Sequence, residues 1–314
     1  MTDSETIAMS FSGCLLGAAL GDAVGARREG GAMGSEREIA ALIDDSSFPL
    51  IYTDDTHMTI GVAESLIDCG GFDGAHMAQR FVSNHAGEPW RGYGPGPPRV
   101  FSLIRGGEPW DTAANLIYRG GSFGNGAAMR VSPVGLLFWH RPEELKRVAH
   151  LSSLITHSHA LGMQGALLQA LAVARAVACG PDRQLDAAAF VSHLLTYATE
   201  DVYHRKMGRL SILLEHPNDR HLVIAELGHG IEAFNSVPTA IFSFLSHPGD
   251  FAATVAYAVS LGGDTDTIAS MAGAIAGACL GVDALPSSWL DRLENRDYIA
   301  HLAGRLWQLA SADS

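Results

Sequence analysis

The sequence contains very little lysine and few cysteines. Lys146 and Lys206 are the only lysines, so arginine supplies nearly all of the 21 positive side chains. Because 34 side chains are acidic, the formal net charge is −13, which argues against broad binding to nucleic acid or anionic membranes. The four cysteines form no C-x-x-C pair, and no basic segment precedes an apolar run. We therefore expect a reduced, cytoplasmic protein with neither nucleic acid nor membrane as a partner.

Two apolar runs could be mistaken for targeting segments or membrane spans. The run from Phe11 to Leu20 is short and follows Asp3 and Glu5. The run from Ile268 to Val282 is shorter than the roughly 20 residues that a membrane span requires. We predict that both runs form buried core helices.

Alternating strand patterns are absent, and apolar residues recur at helical spacing. Met58, Val62 and Leu66 follow one another at intervals of four, which predicts one apolar stripe on a helix. The segment PLIYT at 49–53 is too short to build a sheet, and no linker, charge block or repeat divides the chain. The sequence therefore predicts an all-α fold, a compact orthogonal multi-helix bundle in which residues 1–314 form a single domain.

Glycine is abundant, with 35 residues. Gly273, Gly277 and Gly281 recur every four residues among alanines, although each glycine costs a helix roughly 1 kcal/mol relative to alanine. This spacing predicts a helix face that packs very closely against a neighbour. Residues 27–48, rich in glycine and charge, are expected to form a loop.

Two acidic clusters, T-D-D-T at 53–56 and G-G-D-T-D-T at 262–267, stand out. Taken alone, each has an ordinary explanation, because Asp and Thr are favoured at helix N-termini. Each cluster nevertheless supplies two carboxylates with flanking hydroxyls, and neighbouring carboxylates repel unless a cation lies between them. Neither cluster contains Cys or His, which favours Mg²⁺ or Mn²⁺ over zinc. If the clusters face each other, four carboxylates can hold two cations.

Five segments resemble the ADP-ribosylglycohydrolase family, in family order. They are GCLLGAALGDAVGA at 13–26, YTDDTHMT at 52–59, GNGAAMR at 124–130, THSHALGMQGALLQALAVA at 156–174 and LGGDTDTIASMAGAIAGACLG at 261–281. The resemblance implies an all-α fold, two Mg²⁺ ions (or Mn²⁺) and cleavage of the bond between ADP-ribose and an acceptor. Carried over by position, the implied metal ligands are Thr53, Asp54, Asp55, Asp264, Asp266 and Thr267.

Within that family, the sequence looks most like the ADP-ribosyl-acceptor hydrolase 3 branch. Members of this branch remove ADP-ribose from serine and also hydrolyse O-acetyl-ADP-ribose and poly(ADP-ribose). The branch pattern places a glutamate after the first G-D motif, and Glu29 occupies that position here. The resemblance implies that Glu29 is the catalytic acid or base. On composition alone, Glu29 is an ordinary solvated residue beside two arginines.

Two glycine-rich segments, 91–100 and 119–130, suit a pyrophosphate, because glycine lets backbone N–H groups approach an anion closely. Composition alone favours ordinary Pro/Gly turns here. With the resemblance, Phe123 is expected to stack on adenine, Asn125 to bind a ribose hydroxyl and His157 to lie near the phosphates. The implied substrate-binding residues are Gly92, Gly94, Gly96, Ser122, Phe123, Gly124, Asn125 and His157.

Other functions remain open from the sequence. An arginine-ADP-ribose hydrolase of the same family is one alternative, and a non-catalytic relative that binds ADP-ribose or has a structural role is another. The expected partner is an ADP-ribosylated protein or another ADP-ribose conjugate, and we expect a monomer. The net charge of −13 predicts better activity on short adducts than on long anionic chains.

Overall fold

A computed structural model describes residues 3–44, 48–180 and 185–312, and helices provide nearly all of their regular structure. The α-helices are α1 (Asp3–Gly25), α2 (Glu36–Asp44), α3 (Asp54–Cys69), α4 (Gly74–Gly87), α5 (Gly96–Arg105), α6 (Ala113–Ile117), α7 (Ser132–Leu137), α8 (Pro142–Leu154), α9 (Ala160–Cys179), α10 (Ala187–Leu195), α11 (Asp201–Leu213), α12 (Arg220–Leu227), α13 (Ala233–Ser246), α14 (Phe251–Ser260), α15 (Thr265–Leu280), α16 (Ser287–Leu290) and α17 (Arg296–Ala312). Short 3₁₀-helices cover Ala26–Arg28, Asn125–Ala127 and Val282–Ala284.

The prediction of an all-α fold is confirmed. Extended backbone pairs in the described ranges only at two isolated bridges, Leu50 with Leu293 and Gly124 with Glu232. The segment at 49–53 therefore contributes a single bridge and no strand.

The centre of the fold is an antiparallel pair of helices, α1 and α15, whose backbones touch. A Cβ added to Gly21 would overlap the Ala269 carbonyl oxygen, and one added to Gly277 would overlap the Gly13 carbonyl oxygen. The close packing predicted for the glycine face is present, and it requires glycine on both helices. Antiparallel packing also brings the end of α1 to the start of α15, so that Gly25 lies against Thr265.

Two segments, Ser4–Arg28 and Ala160–Cys179, are long and apolar enough to cross a membrane by length and composition. Within the apolar window of each, 78% of the residues are buried inside the fold. Their composition is therefore explained by their central position. The expectation that Phe11–Leu20 belongs to a buried helix is confirmed.

The prediction of a loop over residues 27–48 is wrong for its central part, because helix α2 covers Glu36–Asp44. Ser35 and Glu38 form a capping box, in which Ser35 N donates to Glu38 Oε2 at 2.7 Å and Glu38 N donates to Ser35 Oγ at 3.3 Å. Ile39 and Ile43 are buried and anchor the helix on the core. The i, i+4 spacing of these isoleucines was the signal in the sequence.

Candidate active site

The ends of α1, α3 and α15 meet at an open cavity. Of the fifteen residues predicted for the site, the cavity lining includes Glu29, Asp54, Asp55, Gly92, Gly94, Gly96, Ser122, Gly124, Asn125, His157, Asp264, Asp266 and Thr267. Thr53 and Phe123 are not part of the lining, although each adjoins a residue that is. The fold therefore brings together segments that are more than 200 residues apart in the sequence.

The first acidic turn is held by Asp22 of α1, which is fully buried. Its carboxylate accepts hydrogen bonds from the backbone N–H and hydroxyl of Thr53 and from the same two groups of Thr56, at 2.6–3.1 Å. The Thr53 hydroxyl also accepts from Asp55 N at 3.3 Å, which caps α3. Asp22 thus fixes the turn that carries Asp54 and Asp55. Asp22 therefore acts on the site through this turn.

The second acidic turn differs from an ordinary helix cap. Asp264 is the N-cap residue of α15, yet its carboxylate accepts no hydrogen bond from the first turn's backbone. At four other helices an N-cap aspartate does accept one from the residue three positions on, namely Asp73, Asp186, Asp219 and Asp250. Asp264 instead accepts from the Asn125 amide at 2.5 Å. Its carboxylate is therefore turned toward the cavity.

The two acidic turns face each other across the cavity. Thr267 Oγ1 donates to Asp55 Oδ1 at 3.5 Å, which joins the first turns of α3 and α15. Burial raises the pKa of Asp54 to about 7 and that of Asp266 to about 9, with repulsion from the neighbouring carboxylates adding to both shifts. The same causes hold the pKa of Asp55 well above its usual range. The site thus crowds acidic side chains together where burial disfavours their charged forms.

Two buried carboxylate oxygens in this cluster, Asp55 Oδ2 and Asp266 Oδ1, have no hydrogen-bond partner among the described residues. Buried polar atoms in native proteins are nearly always paired, so an unpaired carboxylate oxygen is costly without a ligand. Hard divalent cations prefer carboxylate and hydroxyl oxygens, which are the donors that this cluster offers. The residues present therefore fit divalent cations.

Glu29 lies on a loop that is tied to the second acidic turn. Gly30 N donates to Gly263 O at 2.8 Å, and Gly263 N donates to Gly31 O at 3.0 Å. Gly263 has a φ of +73°, and a Cβ there would overlap the His229 carbonyl oxygen, so this turn requires glycine. The Glu29 side chain is exposed, and one of its oxygens lies within 4.8 Å of ligand atoms of Asp264 and Asp266.

The loop at 91–96 is anchored by Arg91, which is buried. Its guanidinium donates to both Glu294 oxygens, to Glu88 and to the Tyr52 carbonyl, at 2.5–3.1 Å. Gly92, with φ +87°, then passes Asp54, and a Cβ there would lie 3.9 Å from Asp54 Oδ1. The loop's backbone is consequently held beside the first acidic turn.

Backbone pairing with the segment before α13 holds the loop at 122–125. Asn125 N donates to Ile231 O at 2.9 Å, and Ala233 N donates to Phe123 O at 3.0 Å. The Phe123 ring is 46% exposed; it meets His159 edge to face and Phe234 in a tilted arrangement, with centroids 5.6 and 6.1 Å away. Phe123 is therefore not a core side chain, and it lies at the rim.

A residue that the sequence analysis did not single out, Arg130, is connected to His157 through the hydroxyl of Thr156. His157 is buried and lines the cavity. Arg130 is almost fully buried and donates to Thr156 Oγ1 at 2.8 Å and to Ser152 O at 3.1 Å. The GNGAAMR motif contains Arg130, so the motif carried the signal.

Sequence reasoning also missed three rim and support residues. Tyr118 and Ile231 line the cavity and are partly exposed. Tyr93 supports the glycine loop, because its hydroxyl lies 2.9 Å from His57 Nδ1. No local pattern marks Tyr118 or Ile231, which reach the site through contacts with segments distant in the sequence, whereas Tyr93 lies in the glycine-rich segment at 91–100.

The chain matches known proteins over nearly its whole length. Residues 3–314 match the family model described as ADP-ribosylglycohydrolase. ADP-ribosylhydrolase ARH3 from Mus musculus is 37% identical over 96% of this chain and 92% of the relative, and the Homo sapiens protein is 36% identical over 95% and 93%. ADP-ribosyl-[dinitrogen reductase] glycohydrolase from Rhodospirillum rubrum is 28% identical over 90% of this chain and 89% of the relative.

A solved structure described as an ADP-ribosylglycohydrolase-related protein complex shares the fold, with a TM-score of 0.78 and 24% identity. The match covers 98% of this chain and 99% of the other. This likeness shows the fold alone. The family model and the two animal relatives show that this chain belongs to the ADP-ribosylglycohydrolase family and is a glycosyl hydrolase of ADP-ribose adducts.

Proposed function

We propose that this enzyme depends on divalent cations and cleaves the O-glycosidic C1″ bond of ADP-ribose adducts, with serine-linked ADP-ribose and O-acetyl-ADP-ribose as its substrates. One observation carries the metal dependence. Asp55 Oδ2 and Asp266 Oδ1 are buried and unpaired within a cluster whose carboxyl pKa values are raised by burial and mutual repulsion. Positive charge at this point would relieve both penalties.

The cluster supplies enough oxygen donors for two Mg²⁺ or Mn²⁺ ions. The proposed ligands are Thr53, Asp54, Asp55, Asp264, Asp266 and Thr267. When bound, such ions polarise and orient hydroxyl and water oxygens. Thr53 uses its hydroxyl proton on Asp22 and one lone pair on Asp55 N, so a second lone pair remains for this role.

Glu29 is proposed as the catalytic acid or base. Breaking the ribose C1″–O bond develops positive charge on the sugar, and the leaving oxygen or the attacking water must exchange a proton. Glu29 lines the cavity close to Asp264 and Asp266, and its loop is hydrogen-bonded to the turn that carries Asp264. A carboxylate that lines the cavity beside Asp264 and Asp266 is placed to exchange a proton with an oxygen of the bound substrate.

The remaining predicted residues are proposed to bind ADP-ribose. Gly92, Gly94 and Gly96 bring backbone close to the cavity on one side, and Ser122 and Gly124 do so on the other. Asn125 donates its amide to Ser236 and Asp264, which leaves its Oδ1 for a ribose hydroxyl. The exposed face of Phe123 suits adenine stacking, and His157 is proposed to contact a phosphate.

Two observations favour serine-type adducts over the alternatives. The ARH3 relatives are 36–37% identical, whereas the Rhodospirillum rubrum relative, whose name specifies dinitrogen reductase, is 28% identical. The G-Y-G-x-G segment at 92–96 and the position of Glu29 also resemble the pattern of the serine-type branch. A non-catalytic relative would be expected to lose metal carboxylates, and this chain retains all four.

The proposal is tested by measuring ADP-ribose release from a serine-linked and an arginine-linked peptide, with Mg²⁺, with EDTA, and after Mg²⁺ is restored. We expect release from the serine-linked peptide alone, loss with EDTA and recovery with Mg²⁺. Faster release from the arginine-linked peptide, or full activity in EDTA, would overturn the proposal.

A pair of aspartate substitutions provides the control. Asp266→Asn should abolish release, whereas Asp250→Asn should leave it unchanged, since Asp250 only caps α14 and Asn is an equally good cap. Equal activity of the two variants would show that the acidic cluster is not needed for the reaction.

A further inference from the structure

Arg130 is a buried cation without an acidic partner. Its side chain is 1% exposed, and no carboxylate of the described residues lies within 4.0 Å of its guanidinium. The guanidinium lies over the Phe81 ring at 4.8 Å and donates to neutral oxygens of Ser152 and Thr156. A buried charge without a counter-charge is expensive, so its position calls for a functional explanation.

The Thr156 hydroxyl connects Arg130 to His157 through two hydrogen bonds. Thr156 Oγ1 accepts a hydrogen bond from Arg130 Nη1 at 2.8 Å and lies 2.8 Å from His157 Nδ1. Thr156 is almost fully buried, and its hydroxyl proton has no other acceptor among the described residues. The hydroxyl therefore donates to His157 Nδ1, because the reverse arrangement would leave a buried O–H unpaired.

This hydrogen bond determines which nitrogen of His157 carries the proton. If Nδ1 accepts from Thr156, the neutral imidazole has its proton on Nε2. Nε2 has no hydrogen-bond partner in the described part of the chain, although the residue is only 7% exposed. The ring packs against Gly126 and beside Gly124, both of which line the cavity and where an added Cβ would lie 2.9 and 3.4 Å from Nε2.

We propose that Arg130 and Thr156 are positioning residues that fix His157 as a neutral Nε2–H donor, directed into the cavity at a phosphate oxygen of bound ADP-ribose. The identity of the acceptor rests on the proposed function, whereas the tautomer does not. In this arrangement the neutral His157 binds the anion. The positive charge stays on the buried Arg130 guanidinium, which is connected to His157 through Thr156.

The electrostatics agree with this geometry. Burial and the Arg130 charge lower the pKa of His157 to about 3, and Arg130 is the charged group that contributes to this shift. Around Arg130, Asp54 and Tyr93 are the groups whose charge favours the guanidinium. The donor is therefore expected to keep one protonation state across neutral pH, whereas a solvated histidine changes its charge near pH 6.5.

The most direct test is the tautomer of His157, measured by nitrogen-15 NMR of the histidine side chains, with His157→Gln used to assign the signal. We expect the Nε2–H form between pH 5.5 and pH 8, with no titration in that interval. An Nδ1–H tautomer, or a titration near pH 6.5, would overturn the proposal even if the enzyme hydrolyses serine-linked ADP-ribose.

A matched pair of variants tests the contribution to binding. Thr156→Val removes the hydroxyl without changing the shape of the side chain, and it should weaken ADP-ribose binding about 10-fold, with kcat within about threefold of wild type. Thr156→Ser should restore binding and the Nε2–H signal, and Thr196→Val, at an exposed hydroxyl outside the cavity, is the control. Unchanged binding in Thr156→Val, or a fall in kcat alone, would contradict the proposed role.

Discussion

The cavity has an acidic half, formed by residues 53–56 and 262–267, and a donor half, formed by the glycine-rich segments with Arg130, Thr156 and His157. Burial shifts the pKa values of the two halves in opposite directions. In the acidic half, burial and crowding raise carboxyl pKa values, to about 7 for Asp54 and about 9 for Asp266. In the donor half, burial lowers the pKa of Arg130 to about 9 and, together with the Arg130 charge, that of His157 to about 3. One half therefore needs external positive charge, whereas the other offers neutral donors to an anion. This contrast matches a site that holds cations beside one end of ADP-ribose and phosphates beside the other.

The two halves are also built differently. Side chains fix the acidic half, chiefly Asp22, which receives four groups of Thr53 and Thr56. Backbone contacts shape much of the donor half, where glycines at 92, 124 and 126 bring the main chain to the cavity. A single substitution should therefore affect either cation binding or ADP-ribose binding, and seldom both.

The largest expected effect is a loss of turnover with ADP-ribose binding retained. Glu29→Gln should lower kcat by about 10²–10⁴, because the amide cannot exchange a proton, and should leave ADP-ribose affinity within about threefold. Single-turnover kinetics and calorimetry with ADP-ribose measure the two quantities. Turnover close to wild type would remove Glu29 from the proposed mechanism.

A smaller effect is expected from substitution of Asp22, which positions the acidic turn at 53–56. Asp22→Asn replaces an oxygen acceptor by an NH₂ group that faces donors of Thr53 and Thr56, so the turn carrying Asp54 and Asp55 should loosen. We expect the Mg²⁺ concentration for half-maximal activity to rise about 10–100-fold. Asp68→Asn, at a surface ion pair with Arg80, is the control and should leave the Mg²⁺ requirement unchanged. A Mg²⁺ requirement in Asp22→Asn equal to that of wild type would mean that Asp22 does not position the acidic half.

The sequence predicted the acidic half better than the donor half. Asp54, Asp55, Asp264 and Asp266 lie in short motifs, and the repeat of Gly273, Gly277 and Gly281 predicted a helix face that packs closely against a neighbour. The GNGAAMR motif marked the segment of Arg130 but not its role, because that role depends on which described groups surround the buried guanidinium, and only the fold reveals them. Tyr118 and Ile231 likewise reach the rim through contacts between distant segments.

The smallest effect concerns stability without cations. Because Asp54 and Asp266 have raised pKa values, the folded state keeps protons that the unfolded state has lost near neutral pH. The free energy of unfolding in EDTA should therefore fall by about 1–2 kcal/mol as the pH rises from 6.5 to 8. Urea denaturation at both pH values measures this change.

Saturating Mg²⁺ should flatten this pH dependence, since bound cations favour the ionised carboxylates in the folded state. Asp266→Asn should reduce the slope in EDTA by removing one of the raised groups. Stability that rises with pH in EDTA would contradict the assignment of protonated carboxyls to the acidic half.

Direct titration of Mg²⁺ or Mn²⁺ into the EDTA-treated protein tests the central claim, that the two acidic turns together form a cation site. We expect saturable binding of two ions near pH 7.5, with protons released because the carboxyls with raised pKa values must ionise. Calorimetry in two buffers of different ionisation enthalpy measures both quantities. Asp55→Asn should weaken binding strongly. Absence of saturable binding, or equal binding by wild type and Asp55→Asn, would contradict the account.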